Sequence, residues 1–320
     1  KETRREMIEP AILICGHGSR DVEAISEFEA LTAHIARHLP ERQVAHGFLE
    51  FARPTISERL DDLRVSGVRD VHAVPGMLFA AGHAKNDIPS VLNDYAARHD
   101  GFSIFYGREL AVDLKLLAAA QERIKTAETF AGSSIPRAET LLVVVGRGTN
   151  DPDANSNVSK VTRMLWEGMG FSWAETCYSG VAQPLVGDAL SRVVRLGYQR
   201  IIVFPYFLFT GVLVKRIYSI ADEFALRHPE VEVVKAEYLN DHPLVIDCFL
   251  ERLDEIPRGD NLMNCQLWKY REQIISYEKD QGAPQIGHHH HVEGIGTDAE
   301  HQQGHDHHDH RHLDESDNND

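Results

Sequence analysis

Residues 16–85 recur 130 positions further along this 320-residue chain, in a single ungapped register. Gly16-His17-Gly18-Ser19 becomes Gly146-Arg147-Gly148-Thr149, and Asp21 becomes Asp151. Pro54, Gly67 and Pro75 become Pro184, Gly197 and Pro205. Leu78-Phe79 becomes Leu208-Phe209, and Lys85 becomes Lys215. The period is too long for a solenoid repeat and has the length of a whole domain. The chain therefore reads as two similar domains, and whatever architecture one half adopts, the other shares.

Each half alternates two kinds of apolar pattern. In the first, strand-like runs fall near 11–15, 43–51, 69–79 and 102–106, and helical periodicity falls near 22–39, 55–66, 86–98 and 111–127. The run AILIC is apolar without alternation, as in a strand buried on both faces. Ile25, Phe28, Leu31, Ile35 and Leu39 then recur at helical spacing. Strands alternating with helices imply a parallel sheet covered on both faces. The expected fold class is α/β: two flavodoxin-like, doubly wound domains related by internal duplication, with a disordered C-terminal tail. The expected boundaries are 1–130, a linker at 131–139 (AGSSIPRAE), 140–258 and a C-terminal extension at 259–320. An apolar content of 42% is enough for two cores.

The two copies differ at three positions that chemistry would use. His17 becomes Arg147, Glu50 becomes Gly180, and His83 becomes Leu213. Drift after duplication would also change surface residues, but it does not explain why all three changes fall at strand ends. His17 follows the first strand in GHGSRD, Glu50 closes the second in HGFLEF, and His83 follows the third in AAGHAKNDIP. In a parallel sheet all carboxyl ends face one way, and ligands bind there. With the first strand between the other two, the three side chains converge. Two imidazoles and a carboxylate suit a divalent first-row metal such as Co²⁺, Ni²⁺ or Fe²⁺, and they can exchange protons near neutral pH. Gly16 and Gly18 are read as permitting a tight turn and close approach by a ligand. GHGSRD is neither a Walker A loop nor G-x-G-x-x-G, and Ser19 is not in G-x-S-x-G, so nucleotide binding and serine hydrolysis are disfavoured.

With GHGSRD and GHAKNDIP in place, the chain resembles the sirohydrochlorin cobaltochelatases, the long CbiX type of class II chelatases. The resemblance spans nearly the whole chain, including the double domain and the histidine-rich end. It implies ATP-independent insertion of Co²⁺ into sirohydrochlorin on the anaerobic route to cobalamin, in a cleft between two flavodoxin-like halves. Relatives insert Fe²⁺ or Ni²⁺, which leaves ferrochelatase and nickelochelatase as alternatives. The resemblance assigns metal handling to His17, Glu50 and His83, which would also take up the two pyrrole protons. A substrate rich in carboxylates calls for cations, and Ser19, Arg20 and Lys85 are the expected substrate contacts. Ser19 is equally suited to capping the following helix.

The segment 288–312 holds ten of the nineteen histidines, interleaved with Asp and Glu. It is expected to be disordered and to buffer metal through His288, His289, His290, His291, His305, His307, His308, His310 and His312. A metal-storage protein or metallochaperone is the reading from another class, but it leaves the His17, Glu50 and His83 set without a role. Long members of the family carry Met-x-Cys-x-x-Cys after the second domain. This chain has Met263 and Cys265, with Trp268 where the second Cys would stand. One thiolate cannot hold an iron–sulfur cluster, so none is expected and no cofactor is required.

Four scattered cysteines make no disulfide framework. No signal-peptide pattern opens the sequence, and the longest apolar stretch, 201–214, is too short to span a membrane and contains Pro205. A cytoplasmic protein is expected. A net charge of −16 argues against a nucleic-acid partner. The expected partners are sirohydrochlorin and a divalent metal ion, and nothing in the sequence speaks to oligomeric state.

Overall fold

The computed structural model describes residues 9–260 and 293–294. The first half runs β1 (Ala11–Gly16), α1 (Val22–His38), β2 (Val44–Phe48), α2 (Ile56–Val65), β3 (Asp70–Pro75), α3 (Ile88–Arg98), β4 (Ser103–Tyr106) and α4 (Leu114–Ala131). The second runs β5 (Thr140–Gly146), α5 (Pro152–Met169), β6 (Trp173–Tyr178), α6 (Val186–Val193), β7 (Arg200–Pro205), α7 (Val212–Arg227), β8 (Glu232–Lys235) and α8 (Pro243–Glu255). Both sheets are fully parallel, in the orders β2-β1-β3-β4 and β6-β5-β7-β8. β1 and β5 thus lie between their neighbours, as convergence of the site requires.

Local chemistry explains the element ends. Asp21 caps α1 by accepting from the Glu23 N–H, and Thr55 and Glu58 form a reciprocal capping box on α2. β2 and β3 stop at Phe48 and Pro75, short of the apolar runs that end at 51 and 79. Phe51 has a φ of 62°, which breaks the extended chain, and Pro75 removes an N–H from the ladder. Glu50 therefore stands on a loop just past its strand. α4 extends through Ala131, the first residue of the expected linker, and Gly132 closes it in the left-handed region.

Each sheet has an outer and an inner face. Leu13 and Cys15 point outward and pack with α2 and α3, and Val143 and Val145 pack with α6 and α7. Ile12, Ile14, Leu142 and Val144 point inward into one core shared by both halves. The fourth helices are exchanged across that core. α4 packs on α5 and β8 of the second half, while α8 packs on α1 and β3 of the first. Arg252 of α8, only 2% exposed, secures the exchange through Asp113 (2.7 Å) and the Leu110 carbonyl (2.9 Å), while Glu255 of its own helix holds it at 2.9 Å. Removing one partner of such a buried ion pair costs about 3–5 kcal/mol.

The halves also make a reciprocal pair of ion bridges. Lys85 Nζ lies 2.7 Å from Asp151, the N-cap of α5, and Lys215 Nζ lies 2.8 Å from Asp21, the N-cap of α1. Among the described residues, no helix is long and apolar enough to cross a membrane. The histidines at 288–312, together with Met263, Cys265 and Trp268, lie outside the described residues.

Candidate functional site

The loop after β1 and the loop after β2 are laced together. Leu49 N–H donates to the Gly16 carbonyl and Glu50 N–H to the His17 carbonyl, each at 2.9 Å. Gly18, with a φ of 97°, lies so close that a Cβ there would overlap the Glu50 carbonyl oxygen. At Gly16 a Cβ would press on the Phe28 and Phe48 rings. Both glycines are thus required by protein packing. This lacing puts the His17 and Glu50 side chains side by side.

His83 reaches the same point from the loop after β3. It begins a single π-helical turn, His83–Asp87, that leads into α3. Such turns recur at functional sites because they re-aim one side chain within a helix. His83 Nδ1 is 2.8 Å from Asp87 Oδ2, and His17 Nδ1 is 3.0 Å from the Gly18 carbonyl. A carbonyl can only accept, so the His17 Nδ1 position carries the hydrogen. Asp87 orients His83 in the same sense. Both Nε2 atoms then turn to Glu50 Oε1, His17 at 3.0 Å and His83 at 4.0 Å. The two imidazole rings are 4.6 Å apart, and one ligand atom from each of the three residues falls within 4.8 Å of the others.

This is a tripod with a carboxylate at its base. Glu50 is 7% exposed, and each imidazole is held by a neighbour that fixes its orientation, as in metal-binding histidines generally. With Nδ1 committed as donor, a 3.0 Å contact between His17 Nε2 and a carboxylate needs one proton. A divalent cation entering the tripod takes the place of that proton.

The tripod opens into a cavity of about 560 Å³ between the halves, a volume typical of small-molecule sites. Its walls are mostly apolar: Phe51, Leu78 and Phe79 from the first half face Phe207, Phe209 and Leu213 from the second. Arg20 lines it, stacked over the Phe51 ring at 4.9 Å, and so does Ser19. Ser19 Oγ accepts from the Asp21 N–H at 3.0 Å and so builds the turn before α1, whereas the capping side chain is Asp21. Lys85 is elsewhere. Its ammonium is held between Asp151 and Asp153 and does not line the cavity, which corrects the expectation that it contacts substrate. Burial pulls the Lys85 pKa down, but the hydrogen bonds to Asp151 and Asp153 more than offset this and leave it above that of an ordinary lysine. Asp87 is the residue that the sequence reading passed over. Its signal was there: it stands four residues from His83, one helical turn on, and its counterpart is Ile217.

Residues 11–127 and 141–256 each match the sequence model of the CbiX family. The chain belongs to the CbiX family. It is 36% identical to a sirohydrochlorin cobaltochelatase of Priestia megaterium over 83% of this chain and 86% of that protein. It is 29% identical to a sirohydrochlorin ferrochelatase of Bacillus subtilis over 77% of this chain and 91% of that one. Among solved structures it is similar to the sirohydrochlorin chelatase SirB from Bacillus subtilis subspecies spizizenii in complex with cobalt. That match has a TM-score of 0.66 and 28% identity, covering 79% of this chain and 99% of the other. SirB from Bacillus subtilis with Fe³⁺ gives a TM-score of 0.67 at 27% identity, with the same coverage.

Proposed function

We propose that this CbiX-family chain is a sirohydrochlorin cobaltochelatase, inserting Co²⁺ into the macrocycle without ATP. The observation that carries the reading is the tripod of His17, Glu50 and His83 opening into an apolar, macrocycle-sized cleft. The relative of higher identity bears the cobaltochelatase name, and the ferrochelatases match at lower identity.

Co²⁺ is a substrate here. His17 Nε2, His83 Nε2 and Glu50 present it at the cleft floor with an open coordination face. Three monodentate protein ligands leave positions for the pyrrole nitrogens, so the ion transfers by stepwise ligand exchange. Insertion of one M²⁺ into a neutral macrocycle core releases two protons. As the metal leaves the tripod, Glu50 and the imidazoles recover the affinity for protons that the ion had displaced, and accept them. The apolar walls exclude water and stack against the macrocycle faces, while Arg20 meets a peripheral carboxylate.

The histidines of 288–312 serve this site as a metal buffer. Glu293 accepts from Ser57 N–H (2.6 Å) and Ser57 Oγ (2.8 Å), and Gly294 N–H donates to the Leu49 carbonyl, next to Glu50. The reading needs no resident cofactor and no iron–sulfur cluster. It places the chain in the cytoplasm, where the buried thiols Cys15, Cys177 and Cys248 stay reduced.

The test is anaerobic incubation with sirohydrochlorin and Co²⁺, Fe²⁺ or Ni²⁺, followed by absorbance. The wild type accelerates insertion over the protein-free rate, most with Co²⁺, and His17→Ala and His83→Ala each lose about 100-fold or more. A wild type no faster than buffer sinks the reading, and a faster rate with Fe²⁺ than with Co²⁺ makes it a ferrochelatase.

A further inference from the structure

Arg147 occupies, in the second half, the place that His17 occupies in the first. It follows β5 as His17 follows β1, and the same backbone lacing holds it: Ser179 N–H donates to the Gly146 carbonyl at 2.9 Å, and a Cβ on Gly148 would overlap the Gly180 carbonyl oxygen. It lines the same cleft as His17 and His83. Among the described residues, its guanidinium has neither a hydrogen bond nor an ion pair. The cleft walls around it lower its pKa although the residue is exposed, and among the described residues the charge that opposes this is Glu50, which already serves His17 and His83.

Arg147 is exposed to the open cleft, so water solvates its guanidinium, and a ligand that displaces that water must offer an anion in its place. Glu50 cannot do so once a divalent ion sits on it, because the ion then claims the carboxylate. The missing anion must come from the ligand. A guanidinium recognises a carboxylate through two parallel N–H bonds. Arg20 stands on the first-half side of the cleft and Arg147 on the second, so a flat ligand carrying carboxylates at its rim would be gripped from both halves.

We propose that Arg147 binds a peripheral carboxylate of the macrocycle and so fixes how its inner nitrogens face the metal. This rests on the chelatase reading above. It makes the second half a substrate-holding half rather than an inert copy.

The experiment uses the full chain, its Arg147→Gln and Arg147→Lys variants, metal-free sirohydrochlorin as probe and Co²⁺ as metal. Binding is followed by absorbance titration and insertion by initial rates. Arg147→Gln should weaken macrocycle binding and raise its KM about tenfold or more, with kcat within about threefold and the KM for Co²⁺ unchanged. Arg147→Lys should recover part of the loss, since it keeps the charge but not the fork. Unchanged macrocycle affinity in Arg147→Gln overturns the proposal, as does a change confined to the KM for Co²⁺. Failure of the wild type itself to bind the macrocycle overturns the chelatase reading and this inference with it, and is told apart because it appears before any substitution.

Discussion

The first half carries His17, Glu50 and His83 on its strand-end loops, whereas the second carries Arg147, Gly180 and Leu213 on loops of the same shape. Phe51 and Val181 share a left-handed backbone, at φ 62° and 63°, and both halves have a cis proline, Pro54 and Pro184. Asp21 N–H donates to Ser19 Oγ, as Asp151 N–H donates to Thr149 Oγ1. The backbone that builds the tripod thus persists where its three side chains are gone. What both halves keep here belongs to the scaffold, and the chemistry-bearing side chains at these three strand ends belong to one half alone.

The most severe way to break this contrast is to graft the site. Gly180 has open space where a Cβ would go, its nearest neighbour being Arg216 at 3.9 Å, and Arg147 and Leu213 already face the cleft. The triple variant Arg147→His, Gly180→Glu, Leu213→His should bind one more Co²⁺ per chain than its parent by calorimetry. A stoichiometry equal to the parent's would show that loop shape alone does not carry a site.

A smaller effect is expected at Asp87, which holds His83 in orientation while its counterpart Ile217 only fills core. Asp87→Asn should raise the KM for Co²⁺ about 10–100-fold at an unchanged melting temperature. Ile217→Val should leave that KM alone.

The mildest test separates the halves by acid stability. Burial and the facing Arg42 guanidinium hold His72 down at about 4, and the equivalent residue in the second half is Ile202. Unfolded, His72 titrates near its ordinary value of about 6.5. Between these values the unfolded chain binds more protons than the folded one, so stability is lost as pH falls from about 6.5 to about 4. The loss is roughly 1–3 kcal/mol. His72→Ile should shift acid unfolding to lower pH and leave insertion at neutral pH unaffected.

Duplication made the tripod legible in a single sequence, because His17, Glu50 and His83 all stand at strand ends and are all replaced in the second copy. The same rule applied to Lys85 would have removed it from the substrate contacts. It survives as Lys215, its acidic partner Asp151 survives as Asp21, and the pair ties one half to the other. Asp87 was harder to see, since a buried carboxylate one turn from a histidine looks like any helix-start acid until the π-turn aims it. The exchange of α4 and α8 left no trace in the pattern at all. Periodicity says which face of a helix is buried, but not against which of two similar sheets.

That exchange has a consequence for synthesis on the ribosome. When β1–β4 have emerged, α8, which packs on β3 and α1 at their inner face, has not yet been translated. At about 5–20 residues per second, the stretch between α4 and α8 takes on the order of 10 s to appear. During that interval Ile12, Ile14 and Phe28 lack their final cover, and α4 has no β8 to rest on. The amino-terminal half, which holds His17, Glu50 and His83, is therefore a finished sheet waiting for the last described helix.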